Sequence, residues 1–236
     1  MADYPSVTAA APGPAAPAIP APVAAPGPAI APVATLSFTL ALVALSGYVD
    51  AVSYLRYNKL YVSFMTGNTT SLGVAIAKHD ASEVMLLFGV IALFVTGVMA
   101  GNLLARRAGP WSRTLILLVV AALLLLAGVW PAGAIACLVL AMGALNATVH
   151  KEGSVAVSLT YVTGTLVHFG AGLADLVSGR APEKGWPGPV TFWLAFLGGA
   201  LAGGALLVQW GALALPVAVG CSLLLALVAW RVRDTQ

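Results

Sequence analysis

From Thr35 onward the chain is a succession of apolar stretches, each about as long as a helix that crosses a bilayer. Crossing ~30 Å of hydrocarbon takes ~20 helical residues, and backbone amides in lipid must be hydrogen-bonded within a helix or a closed barrel. We therefore expect an all-α, polytopic membrane helix bundle. The eight predicted apolar segments are residues 36–55, 60–77, 84–105, 114–130, 132–149, 153–178, 190–210 and 212–230.

The composition supports this class. Of the 236 residues, 60% are hydrophobic and 8% are charged, with a mean hydropathy of +0.97. Soluble domains carry about 25% charged residues, so this chain lacks the polar groups that would cover a water-facing surface. The formal net charge of +3 is scattered along the chain, which argues against a nucleic-acid partner and leaves the lipid bilayer as the expected one.

The sequence carries no recognisable catalytic or metal-binding motif. Cys137 and Cys221 lie in apolar runs, where reduced cysteines behave as small hydrophobes, and the three histidines are far apart. The Gly-x-Ser-x-Gly, His-Glu-x-x-His and Gly-Lys-Ser/Thr patterns are all missing from the sequence. We expect no enzyme activity, no metal site and no cofactor.

Residues 1–34 form an arm rich in alanine and proline. Proline lacks the amide hydrogen that helices and sheets use, so we expect disorder with polyproline character. The arm contains no Lys or Arg, which argues against a signal peptide. We interpret it as a tether, with partner binding as the alternative. The predicted organisation is the arm at 1–34, membrane repeats at 35–131 and 132–231, and a polar tail at 232–236.

The two halves of the membrane region share motifs in the same order. The distance from the first glycine to the motif threonine is 19 residues in one half and 20 in the other. This register favours an internal duplication, and the Gly-x-x-x-Gly pairs are typical of close helix packing. The matches are Gly47-Tyr-Val-Asp50-Ala51 with Gly143-Ala-Leu-Asn146-Ala147, Phe64-Met-Thr66-Gly67 with Tyr161-Val-Thr163-Gly164, and Phe94-x-x-Gly97-x-x-x-Gly101 with Phe196-x-x-Gly199-x-x-x-Gly203.

Segments two and six concentrate hydroxyl groups around a Thr-Gly pair. Polar groups are costly at membrane depth unless they line a cavity or bond to neighbouring helices. Interrupted segments at corresponding positions of two repeats are typical of transporter binding sites, whereas simple helix packing is the alternative. The candidate substrate-binding or ion-binding residues are Asp50, Thr66, Gly67, Asn68, Thr69, Asn146, Thr163, Gly164 and Thr165.

Asp50 lies fifteen residues into an apolar segment, where a carboxylate costs ~2.5 kcal/mol or more. It indicates a coupling-ion or proton site, or alternatively an interfacial carboxylate paired with Arg56. Its counterpart Asn146 has nearly the same side-chain shape as an aspartate but carries no charge. His168 and Asp175 are secondary candidates because their spacing of seven places them on one helix face. They would form a proton relay, or alternatively lie near the membrane edge with Asp175 beside Arg180.

The distribution of Lys and Arg depends on how many segments cross. If all eight cross, six basic residues face five and no orientation is favoured. If segments two and six enter and leave on the same side, the division becomes eight against three, and both termini are expected in the cytoplasm. Six crossings give inverted repeats, whereas eight give parallel repeats. The prediction is therefore six to eight crossings.

Four motifs together resemble the YoaK-like bacterial membrane proteins, a family defined by a domain of unknown function. The resemblance covers about residues 36–231, and Leu145 stands where relatives often carry Gln. It implies a multi-pass protein of the bacterial inner membrane, with no established substrate, reaction or cofactor. The motifs are Gly47-Tyr-Val-Asp-Ala-Val-Ser-Tyr-Leu55, Tyr61-Val-Ser-Phe-Met-Thr-Gly-Asn-Thr69, Ala141-Met-Gly-Ala-Leu-Asn-Ala147 and Thr160-Tyr-Val-Thr-Gly-Thr-Leu166.

Two functions follow as hypotheses. The first is a transporter for a small solute or ion, with the polar residues of both halves meeting around a wet pocket and with Thr66 facing Thr163. The second is a non-transporting membrane scaffold or complex subunit, in which the same residues hold helices together.

Overall fold

The computed structural model describes residues 33–148, 162–183 and 185–233. Within these ranges the regular structure is helical, which confirms the all-α part of the prediction. The helices are α1 (Val33–Arg56), α2 (Met65–Ala77), α3 (Ala81–Ala108), α4 (Ser112–Val129), α5 (Ala134–Asn146), α6 (Val162–Val177), α7 (Val190–Trp210) and α8 (Ala214–Arg233). Most of the Ala/Pro arm, the start of predicted segment six and the last three residues of the predicted tail lie outside the described residues.

Three continuous helical runs of the described chain are long and apolar enough to cross a membrane. They are Leu36–Arg56, Ala81–Val129 and Val190–Val232. The two longer runs contain 3-10 turns, at Gly109–Trp111 and Gly211–Leu213, and a further 3-10 turn at Pro131–Gly133 joins α4 to α5. Proline is tolerated at the first position of such a turn because its missing amide would be unpaired there anyway.

Glycines bring α1 and α7 into backbone contact. A Cβ on Gly199 would overlap the carbonyl of Ala44, and one on Gly203 would overlap the carbonyl of Tyr48. Only glycine permits so close an approach between two helices. Because residue 44 pairs with 199 and residue 48 with 203, the two helices run parallel.

Helices α3 and α5 pack in the same way. A Cβ on Gly101 would lie 2.8 Å from the carbonyl oxygen of Ala144, and one on Gly97 would lie 2.5 Å from that of Leu140. The pairing again advances in one direction on both helices, so α3 and α5 are parallel. The close-packing role predicted for the Gly-x-x-x-Gly pairs is confirmed at both interfaces.

Helices α4 and α8 pack against each other between these two pairs. Gly128 near the end of α4 lies beside Leu215 near the start of α8, so the two helices are antiparallel. Leu117 and Leu124 on α4 are fully buried. Large apolar side chains on the outer surface, such as Met85 and Val208, are 77% exposed. A surface of this kind suits lipid rather than water.

Candidate functional site

After α1 the chain doubles back along it. Asn58 and Lys59 have φ values of 47° and 64°, and these two left-handed residues reverse the direction of the backbone. The returning residues pass Asp50 and reach Ser46, which lies ten residues before the end of α1 and therefore about 15 Å along its axis. Residues 57–64, called here the returning segment, thus place non-helical backbone inside the helix bundle.

The Asp50 carboxylate holds the returning segment in place. Its Oδ1 atom accepts from the backbone amides of Val62 and Ser63, both at 2.8 Å. Its Oδ2 atom accepts from the hydroxyl of Ser63 at 2.5 Å, and that hydroxyl in turn accepts from Ser46 at 2.8 Å. Asp50 is 3% exposed, whereas Arg56 is exposed, and the carboxylate bonds to the returning segment rather than to that guanidinium.

Asn68 provides a second attachment. Its side-chain nitrogen donates to the carbonyl of Tyr61 at 2.7 Å, and its side-chain oxygen accepts from the amide of Tyr61 at 3.3 Å. The amide therefore satisfies both polar groups of one non-helical residue, as a neighbouring strand would. Asn68 is 1% exposed, so an unpaired peptide group here would be costly.

Gly67 makes room for the aromatic side chains of the returning segment. A Cβ at this position would lie 2.6 Å from Cδ1 of Phe64 and 3.1 Å from Cδ2 of Tyr61. The rings of Tyr61 and Phe64 meet edge to face at 5.3 Å, and the ring of Tyr54 lies 5.1 Å from that of Tyr61. A larger residue after Thr66 would therefore have to displace the Phe64 ring.

A cavity of about 210 Å³ borders the Asp50 carboxylate at the interface of α1, α7 and the returning segment. It is lined by Gly47, Asp50, Ala51, Tyr54, Leu55, Tyr61, Phe196 and Ala200. A second cavity of about 210 Å³ lies between α3, α4 and α5, and both cavities are lined mainly by apolar atoms. The cavity beside Asp50 differs in having one carboxyl group and two phenol rings among its lining residues.

The second half presents a different arrangement. Asn146 is buried and its side-chain nitrogen donates to the carbonyl of Met142 on its own helix at 2.9 Å. Thr165 is buried and donates to the carbonyl of Val162 at 2.6 Å, and Gly164 is buried beside it. Residues 149–161, which would include the counterpart of the returning segment, lie outside the described residues.

The structure does not bring the polar residues of the two halves together. Helices α2 and α6 make no contact with each other, and Thr66 and Thr163 are both exposed. Thr69 is also exposed and donates to the carbonyl of Met65. The facing pair of threonines expected from the sequence is thus not formed within the chain.

His168 and Asp175, the secondary candidates, lie on α6 and not beside Asp50. His168 is exposed and Asp175 is partly exposed. Next to them, Phe169 stacks on Trp186 at 5.3 Å, and the same indole covers Gly172. This aromatic contact fixes the segment that connects α6 to α7.

Sequence reasoning missed three serines around Asp50. Ser46 and Ser63 bond to each other, and Ser53 is fully buried with no hydrogen-bond partner for its hydroxyl among the described residues. Ser46 lies four residues before Asp50 and Ser53 lies three residues after it. Helical spacing therefore places Ser46, Asp50 and Ser53 on one face of α1. That spacing was the available signal.

Comparison with known proteins places the chain in a family. The family described as "Protein of unknown function (DUF1275)" matches residues 38–228. The UPF0700 transmembrane protein RA0705 of Rhizobium meliloti (strain 1021) is 36% identical over 200 residues, covering 83% of this chain and 88% of that protein. The UPF0700 transmembrane protein YoaK of Bacillus subtilis (strain 168) is 30% identical over 158 residues, covering 62% and 68%.

No solved structure matches the chain. The family match nevertheless spans α1 to α8, including the doubled-back segment and both glycine-packed helix pairs. The resemblance seen in the four motifs is confirmed, and the chain belongs to DUF1275, an uncharacterised family whose curated relatives are named transmembrane proteins.

Proposed function

We propose that the chain crosses the bacterial inner membrane six times, through α1, α3, α4, α5, α7 and α8, while α2 and α6 enter and leave on one side. The antiparallel packing of α4 and α8 supports this topology, as does the return of the chain after α1. Arg56, Lys59 and Lys78 then face the periplasm, and the other eight basic residues face the cytoplasm with both termini.

The two halves are inverted repeats in this proposal. Gly97 and Gly101 of α3 pack on α5, as Gly199 and Gly203 of α7 pack on α1. The 3-10 turns that follow α3 and α7 begin at residues 109 and 211, the same distance from these glycines. Each half thus contributes its third helix to the first helix of the other half.

The proposed activity is transport of a small polar solute or ion past the cavity beside Asp50. The observation that carries the proposal is the returning segment, a stretch of non-helical backbone held inside an apolar bundle by a buried carboxylate. Non-helical backbone at membrane depth is tolerated where it is buried in protein or lines a cavity, and in transporters it accompanies binding sites. The cavity borders this backbone at Tyr61.

A thermal-shift screen followed by uptake measurements tests this activity. The purified protein is screened with amino acids, organic acids, sugars and inorganic ions, and each stabilising compound is then offered to proteoliposomes. We expect uptake by the wild type, loss of uptake by Asp50→Asn, and normal uptake by the control Asp80→Asn, whose carboxylate is exposed. Wild-type uptake by Asp50→Asn, or no uptake of any compound by the wild type, would contradict the proposal.

A membrane scaffold is the second candidate, and the exposure of Thr66 and Thr163 favours it. In this case the hydroxyl-bearing faces of α2 and α6 contact helices of another subunit. Thr66→Ala and Thr163→Ala would then reduce the size of the complex extracted in mild detergent, and would leave every uptake rate unchanged. A transporter predicts changed uptake by Asp50→Asn at unchanged complex size.

A further inference from the structure

The Asp50 carboxylate is surrounded by neutral hydrogen-bond donors. Two backbone amides and one hydroxyl point at its oxygens, and no Lys, Arg or His pairs with it among the described residues. A buried charge without a counterion costs free energy, which these three charge-assisted bonds offset only in part. The charged form of Asp50 and the attached position of the returning segment therefore stabilise each other.

The hydroxyl groups beside Asp50 form a chain whose direction can reverse. In the structure Ser46 donates to Ser63, and Ser63 donates to Oδ2 of Asp50. Each serine hydroxyl has one hydrogen and two lone pairs, so it can serve as donor in either direction. If Oδ2 carries a proton, Asp50 donates to Ser63, Ser63 donates to Ser46, and Ser46 donates to a carbonyl of its own helix.

We propose that Asp50 is a proton-operated latch: binding of one proton at Oδ2 reverses the direction of donation along the Asp50–Ser63–Ser46 chain and loosens the attachment of the returning segment to α1. The proton comes from water in the cavity beside Asp50, and the net charge of the site changes from −1 to 0 while each serine keeps one hydrogen. This rests on the proposed transport function and names the proton as its coupling ion.

The loosening follows from the change in the carboxyl group. Hydrogen bonds to an ionised acceptor are about twice as strong as those between neutral groups. Protonation therefore weakens the bonds from the amides of Val62 and Ser63, which attach the returning segment to α1. The attachment of Tyr61 to Asn68 stays neutral and unchanged, so the segment pivots about it rather than leaving α2.

The unpaired hydroxyl of Ser53 supports a route for the proton. A fully buried hydroxyl without a partner is destabilising, and such groups in proteins usually bond to buried water. Ser53 lies one helical turn from Asp50, and its neighbour in the sequence, Tyr54, lines the cavity. A water bonded to the Ser53 hydroxyl would provide a proton carrier within one helical turn of the carboxylate.

The same geometry disfavours a metal cation as the bound ion. Three donors direct positive hydrogens at the carboxylate, and a cation would have to displace them to reach its oxygens. Sodium or calcium would also need several further oxygen ligands. A proton needs only one lone pair of Oδ2. Its binding changes the donor direction in the serine chain and leaves every other hydrogen-bond partner of Asp50 in place.

Few other groups near Asp50 titrate. Tyr54 and Tyr61 line the cavity, and α7 contributes no ionisable side chain to its contact with α1. Among the other elements that pack on α1, α5 carries Cys137, and α8 carries Cys221 together with Arg231 and Arg233 at its far end. The returning segment itself carries Tyr57 and Lys59.

Hydrogen exchange measured by mass spectrometry tests the latch without requiring transport. We expect exchange of the amides in residues 57–64, corrected for intrinsic rates, to accelerate about tenfold as the pH falls from about 8 to about 5. The acceleration should disappear in Asp50→Asn and persist in Asp80→Asn. Replacing sodium by choline should change nothing in the wild type.

Exchange that is independent of pH in the wild type would overturn the latch, as would a response to sodium at constant pH. These outcomes need only the wild-type protein, so they remain decisive if Asp50→Asn does not fold. A pH-dependent segment in a protein that transports nothing would support the latch and contradict the transport function. If Asp50→Asn loses uptake while exchange in the wild type is independent of pH, the transport function is supported and the latch is contradicted.

Discussion

The two halves of this protein are alike where helices pack and unlike where polar residues begin a short helix. Gly97 and Gly199 make similar contacts, since Gly97 lies against the backbone of α5 and Gly199 against the backbone of α1. The helices α2 and α6 begin with related motifs, yet Asp50 and Asn68 anchor the returning segment in the first half, where the second half has Asn146 and Thr165.

This difference separates two roles of a polar residue in an apolar chain. Thr165 donates to the carbonyl of Val162, three residues earlier on its own helix. That carbonyl already has a backbone partner in a regular helix, so the side-chain bond is an additional one. Asn68 instead bonds to both backbone groups of a non-helical residue, which would otherwise be unpaired. Asn146 can accept hydrogen bonds but cannot change its charge, so the response to pH proposed for Asp50 has no equivalent at Asn146.

The largest expected effect comes from filling the glycine contacts. Gly199→Val would force its side chain into the carbonyl of Ala44, and because backbone must move, we expect a loss of at least about 3 kcal/mol or a failure to fold. Thermal unfolding in detergent measures the change. Gly198→Val is the matched control, since a Cβ at Gly198 meets nothing within 4 Å.

The equivalent substitution in the other half sharpens the comparison. Gly97→Val should destabilise the protein by an amount similar to Gly199→Val, because a Cβ there would lie 2.5 Å from the carbonyl oxygen of Leu140. Its control is Gly89→Val, at an open position of α3. A mild effect at one of the two glycines would show that the halves do not pack alike.

An intermediate effect is expected at the start of α2. Asn68→Ala leaves the amide and carbonyl of Tyr61 without their partner, at a cost of about 1–3 kcal/mol. Thr165→Ala, at the matching position of α6, removes one bond to a helical carbonyl and should cost less than about 1 kcal/mol. Equal melting temperatures for the two variants would contradict the different roles described above.

Much of the packing was predictable from the sequence, whereas the attachment of the returning segment was not. Gly-x-x-x-Gly spacing reports a property of single helices, the presence of a small-residue face, and this holds wherever the partner helix lies. The predicted segment at 60–77 included residues that the structure shows as non-helical, because apolar composition alone does not reveal where a helix begins.

The partners of Asp50 also lay beyond sequence reasoning. Pairing with Arg56 was one alternative because the two are close along the chain, but the chain reversal at Asn58 and Lys59 brings Ser63 to Asp50 instead. An asparagine followed by a lysine only weakly predicts two consecutive residues with left-handed backbone. The fold class could therefore be predicted from the sequence. The geometry of the site could not, because it depends on the chain reversal at Asn58 and Lys59.

The smallest effect is expected at the start of α3, which is capped, in contrast to α7. Asp80 accepts from the hydroxyl and amide of Ser82 and the amide of Glu83, whereas α7 begins after Pro189 with no side-chain cap. The hydroxyl of Ser82 and the amide of Glu83 hold the pKa of the Asp80 carboxyl below its usual value. Because the pKa is lower in the folded protein, the ionised cap stabilises α3 above about pH 4, and this contribution is lost as the pH falls through the folded-state pKa.

Asp80→Ala should therefore lower the melting temperature slightly at neutral pH, and the difference from wild type should shrink toward zero in acid. Pro189→Ala at the start of α7 should show no such trend, since no carboxylate caps that helix. Melting curves of the three proteins from neutral pH down to about pH 3 measure both trends. A difference between Asp80→Ala and wild type that stays constant with pH would mean that Asp80 acts through its shape rather than its charge, and the contrast between the two helix starts would then be one of geometry alone.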